Sequence, residues 1–497
     1  MQERYIATVD LGTSKLALCV AKVVGENVQI IYYKERPSDG IRYNCVFNPK
    51  RAAGPLRAAI AEAEDELQIK ILQVVVGLPR YNVHQETASA QIDRSTPDPL
   101  IGDEEIAALK SIALDTYPLT DSSKELIYGA VPQSFATDDF IGSEEDVVGT
   151  TSDSLSGNFK IFVGAKKAYH NLTIMLNDAD VALAQAIFTP IAVGEAVLKD
   201  DEMANGVALV EMGAGVTSVS IYQGGIMRFY ASIPFGGKSI TTDIRLECAF
   251  DDALAENIKL AFGACLPDKL QTMSDKVLQI NDEENGTYEH LSVKYLSEII
   301  TSRCREIVQA ILFAIQESGF ADRLRCGIVL TGGCANLANL TTLIKDESGY
   351  NVRVGFPLAR KFSSEGCPGI GEAEAAASVG MVLEVASDPS LNCISEAKRS
   401  PRKSTAAAEP AAEDKVPATL FADEEFDTVM KTKIKKTPGE KKPKRPKPEK
   451  PKPEKPEKEA RPEGDGGKFL GFIWKKMGDL FENTLGEIYD DMDKEKR

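Results

Sequence analysis

Two segments roughly two hundred residues apart share one plan, and that repetition constrains the fold more than any total does. YIATVDLGTSKLALCVAKVVGENVQIIYY (5–33) and GVALVEMGAGVTSVSIYQGGIMRFYASI (206–233) carry it. Each reads as a buried strand with an acidic residue near its end, a glycine-rich turn, and a second strand. A polar glycine-containing turn and a third strand complete the unit. Apolar runs and amphipathic helical stretches alternate through the rest of residues 1 to about 385. The pattern predicts an α/β chain built of two like halves that face each other across a cleft.

The turns suit phosphate. In the first, Asp10 ends a strand and Gly12, Thr13, Ser14 and Lys15 follow. Glycine lets backbone approach a ligand closely. Consecutive N–H groups, hydroxyls and an ammonium can then surround phosphate oxygens. Asp10 would repel phosphate directly, so its expected role is to orient the water shell of a Mg²⁺ ion. The second turn repeats the pattern with Glu211, Gly213, Ala214, Gly215 and Thr217. Two such hairpins can clamp a triphosphate from opposite sides. Neither turn is a Walker loop, because the chain returns into a strand rather than opening a helix. Either alone is also read as an ordinary β-hairpin; the matched pair carries the phosphate reading.

Two further elements follow. In CGIVLTGGCANLANLTTLI (326–344), an apolar strand meets Gly332 and Gly333 and is expected to run into a helix. A nucleobase or ribose could lie against that backbone, and a plain strand-to-helix turn is the alternative. In DDALAENIKLAFG (251–263), Glu256 and Lys259 share a helix face. They are candidates for ribose hydroxyls and adenine edges, or else an ordinary solvated ion pair.

The chain of 497 residues has a net charge of −17, yet residues 431–461 hold fourteen Lys/Arg against five Glu. An acidic body would repel phosphate backbones, so no nucleic-acid partner is expected. Nine scattered cysteines without a CxxC pair, and three histidines far apart, predict reduced thiols and no zinc site. From about Ser387, Pro, Lys, Glu, Ala and Ser dominate and large apolar residues nearly vanish until Phe469. Such composition predicts a disordered linker over 386–467.

Beyond the linker stands an amphipathic segment, 468–497, which contains the single tryptophan. On a helical wheel, Phe469, Leu470, Ile473, Trp474, Met477, Leu480, Phe481 and Leu485 share one arc of about 160°, opposite glycines and charges. Phe472 falls on the polar side and Glu487 on the apolar edge. An apolar stripe at the end of a long spacer must bury itself on something, and a membrane surface fits better than a partner groove.

DLGTSK, EMGAGVTS, PFGGKSITTDI, AENIK and VLTGGCANL in this order resemble the actin/Hsp70 ATPase superfamily, and within it the FtsA family. The resemblance covers about 5–385 and returns at the tail. It implies a bilobed fold of two ribonuclease-H-like halves with ATP and Mg²⁺ in the cleft. The expected parts are lobe 1A over 1–83 and 166–202, a small inserted 1C domain over 84–165, lobe 2A over 203–240 and 325–385, and subdomain 2B over 241–324. The family implies contacts of 1C with later division proteins, self-assembly into filaments, and a lipid-bound C-terminal helix. On the helix expected over 293–318, Arg303 and Glu306 match the positions that meet the C-terminal peptide of FtsZ. The implied location is peripheral, on the cytoplasmic face of the inner membrane at the division septum.

Fast hydrolysis is not expected. Thr189 stands before Pro190, where the related MreB proteins carry Glu; Glu195 is one turn further, and Glu211 replaces the usual Asp of the second turn. These departures favour a nucleotide-dependent adaptor with at most slow turnover. A sugar kinase of the same superfamily would need a carboxylate base beside a hydroxyl, and none is evident. A PilM-like pilus-assembly scaffold shares the fold but gives no reason for the tail.

Overall fold

The structure is a computed structural model that describes residues 3–94, 100–282 and 287–395. Residues 396–497, which include most of the expected linker and the whole tail with Phe469, Leu470, Ile473, Trp474, Met477, Leu480, Phe481 and Leu485, lie outside the described residues.

Each repeated segment forms a three-stranded antiparallel unit. In the first, Glu3–Leu11 pairs with Lys15–Val24, which pairs with Asn27–Pro37. In the second, Val207–Met212, Thr217–Gln223 and Ile226–Ile233 pair likewise. The near-continuous Val, Ile, Leu and Ala of these strands are buried, as strands covered on both faces require. Parallel strands then extend each sheet past the unit's first strand: Gln73–Leu78 and Ala182–Phe188 in one, Ile328–Thr331 and Val352–Val354 in the other. The two sheets thus share the order third, second, first, fourth, fifth. This is the duplicated α/β architecture that the two segments predict.

Residues 84–165 form their own antiparallel sheet of His84–Asp93, Ser154–Ala165, Glu125–Ala136 and Ile141–Gly142. The helix Asp103–Thr116 covers it and shares a separate apolar core with Phe135, Leu155 and Phe159. In the second lobe, Gly237–Cys248, Asp252–Phe262 and Val293–Glu317 pack beside the sheet. Asp251 caps Asp252–Phe262 by accepting from the Leu254 amide. Leu296, Ile299, Ile300, Ile307 and Ile311 of Val293–Glu317 form a buried stripe, with Leu312 half-buried beside it.

Two boundaries differ from the sequence reading. Residues 325–385 were expected in the second lobe, yet Ser363–Ser364 pairs with Asn27–Pro37 of the first sheet. Helix Ala376–Val385 also shares the first lobe's core. The linker does not begin at 386: Cys393 is fully buried, its amide donates to the Tyr5 carbonyl, and Ile394–Ser395 pairs with Lys70–Ile71. Two small apolar residues suffice to hold the chain there, which a composition count over the next hundred residues hides.

Candidate functional site: two facing turns and the residues between them

Each glycine-rich turn follows the first strand of its own sheet. Burial places them in direct contact: a Cβ built on Gly215 would lie 2.6 Å from Thr13 Oγ1 and 3.0 Å from its Cβ and Cγ2. Only glycine permits this approach. The first turn is braced from outside, with Ser38 Oγ donating to the Gly12 carbonyl at 2.7 Å and the Ser38 amide to Ser14 at 3.0 Å. Asn44, in the left-handed region at φ +60°, holds its inner side. The Asn44 Nδ2 donates to Leu11 O at 2.6 Å and its amide to Thr13 Oγ1 at 3.0 Å.

The second turn is chained to the other two motifs. The Gly213 carbonyl accepts from the Gly237 amide at 3.0 Å and from Cys334 Sγ at 3.4 Å. The Ala214 carbonyl accepts from Lys238 at 2.7 Å. Lys259 Nζ donates to Gly237 O at 3.0 Å, to Thr241 Oγ1 at 2.8 Å and to Glu256 at 2.8 Å. Glu256 also accepts from Thr241 Oγ1 at 2.5 Å. The helix pair is therefore a three-member network with Thr241 rather than a lone surface ion pair. Gly332 has φ +86°, open to glycine alone at low strain, and its amide donates to Ala373 O at 3.1 Å. The structure thus brings Gly12, Thr13, Ser14 and Lys15, Gly213, Ala214 and Gly215, Glu256 and Lys259, and Gly332 and Gly333 to one region between the lobes.

Three details depart from expectation. Thr217 is fully buried and its hydroxyl donates to Phe235 O at 2.8 Å, so it is committed inward. Lys15 Nζ is held by Glu35 and Glu374, each at 2.5 Å. Burial opposes its charge, but those two carboxylates raise its pKa above the usual lysine value. Any phosphate contact by Lys15 requires exchange of one of them. The helix expected right after Gly332 and Gly333 is a single 3₁₀ turn, Gly333–Asn336; the α-helix starts only at Leu340, after Asn339 at φ +62°.

The largest surprise is Arg80, which sequence reasoning missed. It follows the strand Gln73–Leu78 of the first lobe and is buried. Its guanidinium pairs with Glu211 of the second lobe, also buried. Its amide donates to Asn44 Oδ1 at 3.1 Å, and its carbonyl accepts from the Tyr230 hydroxyl. Burial holds the Asp10 carboxyl above the usual carboxylate range, with the Arg80 charge pulling it down. Burial likewise lowers Arg80, with Asp10 opposing. A guanidinium from the first lobe thus pairs with the acid near the end of the second lobe's first strand.

These residues suit a nucleotide. The glycine turns, hydroxyls and lysines offer donors along one cleft. Glu211 already faces Arg80, and burial raises the Asp10 carboxyl above its usual range. Among the described residues, no three or more His, Cys, Asp or Glu converge to hold a metal. A water-shell role for Asp10 needs no direct metal ligand and stays a proposal.

Arg303 and Glu306 lie away from these turns. Arg303 Nε and Nη2 grip Asp243 at 2.6 and 2.8 Å, and Nη1 meets Glu306 at 2.7 Å. Its guanidinium also lies over the Phe235 ring, 5.9 Å from the centroid. Asp243, unmarked in the sequence reading, thus fixes Arg303, while most of Glu306 stays exposed. Thr189 is buried, and Glu195 turns outward to Lys361 at 3.3 Å. Neither supplies a carboxylate to the cleft.

Two lobes of one sheet order with facing hairpin turns define the actin-like class, and the comparisons agree. The PilM–PilN type IV pilus biogenesis complex has a chain matching 76% of this one and 98% of its own, with TM-score 0.54 and 17% identity. In sequence, residues 208–380 match the family described as "Cell division protein FtsA". FtsA of Neisseria meningitidis is 28% identical over 360 residues, 72% of this chain and 84% of the relative. FtsA of Bacillus subtilis is 25% identical over 357 residues, 71% and 79% of the two chains. Within the actin-like class, the chain is thus similar in sequence to the FtsA cell-division proteins.

Proposed function

We propose that this protein is an ATP-binding, polymerising adaptor that tethers FtsZ filaments to the cytoplasmic membrane and recruits septum-building proteins. The observation that carries the nucleotide part is the contact between Thr13 and Gly215 across the lobes, with Lys259, Glu256, Gly332 and Gly333 along the same cleft. Bound ATP would supply a phosphate chain to bridge the two turns. The amides of residues 12–15, 214 and 215 and the Thr13 and Ser14 hydroxyls would hold it, with Lys259 and Glu256 on the nucleoside side. Bridging favours the closed arrangement of the lobes, which sets the surfaces for head-to-tail contact between copies. Turnover would be slow, because no carboxylate from Thr189–Val197 reaches the cleft.

The Arg303, Glu306 and Asp243 cluster is the proposed seat of the FtsZ peptide, and residues 84–165 the proposed contact for later division proteins. Phe469, Trp474, Phe481 and their neighbours would dock on lipid. No helix among the described residues is long and apolar enough to cross a membrane. Co-sedimentation with liposomes and FtsZ, with and without ATP, tests the reading. Intact protein should carry FtsZ to the vesicle fraction, and deletion of 468–497 should abolish it. Vesicle binding that survives the deletion would contradict the anchor. A pilus-scaffold reading rests on the shared fold with PilM, and predicts no capture of FtsZ by either form.

A further inference from the structure

The chain returns from the second lobe to the first at Glu374. Ala373 is buried in the second lobe's core, and its carbonyl accepts from the Gly332 amide at 3.1 Å. Ala375 and Ala376 are buried in the first lobe's core. Between them, the Glu374 carboxylate reaches Lys15 Nζ of the first turn at 2.5 Å. Its Oε2 also lies 3.9 Å from where a Gly333 Cβ would stand. One side chain thus spans from the Gly332–Gly333 turn to the first phosphate turn. The other carboxylate on Lys15 is held differently. Glu35 lies on Asn27–Pro37, the strand beside the one that Lys15 opens, and its second oxygen accepts from the Tyr33 hydroxyl at 2.7 Å. Among the described residues, the Glu374 carboxylate has no hydrogen-bond partner besides Lys15. With 28% of its side chain exposed, it can move out into water. Glu35 is therefore the fixed partner and Glu374 the replaceable one. With both in place, one ammonium faces two carboxylates, so an incoming phosphate meets net negative charge. An ion pair this exposed is weak enough to exchange, and a phosphate oxygen offers the ammonium an equivalent charge-assisted bond.

We propose that Glu374 is a gate on the phosphate site, which holds Lys15 off the phosphates until a nucleotide displaces it. It is a positioning residue: it acts through Lys15 and lowers the affinity for nucleotide without being a ligand. The inference rests on the nucleotide reading above and assigns the regulation of that same site. Each binding event exchanges the Lys15–Glu374 bridge for a Lys15–phosphate contact. The first turn is thereby released from the segment that crosses to the second lobe.

The test is equilibrium binding of a fluorescent ATP analogue to the full chain and to a double-mutant cycle. Glu374→Gln keeps the shape and removes the charge, so affinity should rise about tenfold over wild type. Lys15→Met alone should weaken binding. In the Lys15→Met background, Glu374→Gln should gain less than about threefold, because no ammonium is left to release. A gain of the same size in both backgrounds would mean that Glu374 merely repels phosphate, and would overturn the gate. Affinity of Glu374→Gln equal to or below wild type would overturn it too, since a structural brace only weakens binding when removed. Glu374→Ala, placed between two alanines, gives the same reading if Glu374→Gln does not fold, and urea unfolding reports the fold of each variant. Tight binding that no substitution at Glu374 changes removes the gate and leaves the nucleotide reading intact. No binding by any form overturns both.

Discussion

Gly215→Ala should weaken nucleotide binding without unfolding the protein. The added methyl would stand 2.6 Å from Thr13 Oγ1, whereas ordinary contact starts near 3.4 Å, so the two turns must part by about 0.8 Å. The Thr13 side chain cannot simply rotate away, because its hydroxyl accepts the Asn44 amide at 3.0 Å. Relief comes most cheaply by opening the lobes, which leaves each core untouched. Forcing one methyl into a packed contact costs about 1–3 kcal/mol, and here that falls on the closed arrangement that grips phosphate. Converted at 1.4 kcal/mol per decade, ATP affinity should drop roughly 5- to 140-fold. Isothermal titration gives the affinity, and urea unfolding shows whether the cores remain intact. Thr13→Gly removes the clashing atoms, so the double variant should recover much of the loss. Unchanged affinity in Gly215→Ala, or equal losses that add in the double variant, would refute the idea that these turns close on one ligand.

Other outcomes follow from particular contacts. Burial pushes Glu202 up, but hydrogen bonds from Arg353 and the Lys199 amide more than reverse it, so its folded pKa lies below the usual value. That stabilisation is full above the unfolded carboxylate pKa of about 4.3 and is lost as pH falls through the folded value. Arg353→Met should therefore lower stability at neutral pH by about 1–3 kcal/mol in urea titrations, and the gap to wild type should narrow below about pH 4. Arg303→Ala should weaken binding of an FtsZ C-terminal peptide at least tenfold in fluorescence anisotropy, by roughly the strength of one charge-assisted contact. Loss of body stability without loss of peptide affinity would mark the Arg303–Asp243 pair as structural only. Burial drives Cys19 far above the ordinary thiol range, and Cys45 and Cys334 up to about 12. Native protein should then alkylate slowly at these three positions at pH 8, and quickly in urea.

What was legible in the sequence was what local pattern decides. The two hairpin units, the capped helix Asp252–Phe262 and the long helix Val293–Glu317 announce themselves through strand runs, turn glycines, a capping Asp and helical spacing. The meeting of the two turns follows from their repetition, since like halves packed together oppose like parts. Arg80 and Asn44 could not be read this way. Each lies in an irregular stretch after a strand or bridge, and each matters only because packing of two lobes places it between the turns. The same holds for Glu374, whose contact with Lys15 spans 359 residues of chain. The protein partners of Thr217 and Lys15 could not be read for a related reason: residue type says a side chain can donate, while only packing says to whom. The return of Ser363–Ser364 to the first sheet is a two-residue pairing with no periodicity to detect.

On the proposed reading, one nucleotide is held by both lobes at once. Hydrogen–deuterium exchange of the full chain with and without ATP tests it most directly. Amides of residues 12–15, 213–216 and 332–334 should all slow together on addition of nucleotide, with the same dependence on its concentration. Slowing confined to one turn, or to none of the three, would contradict it.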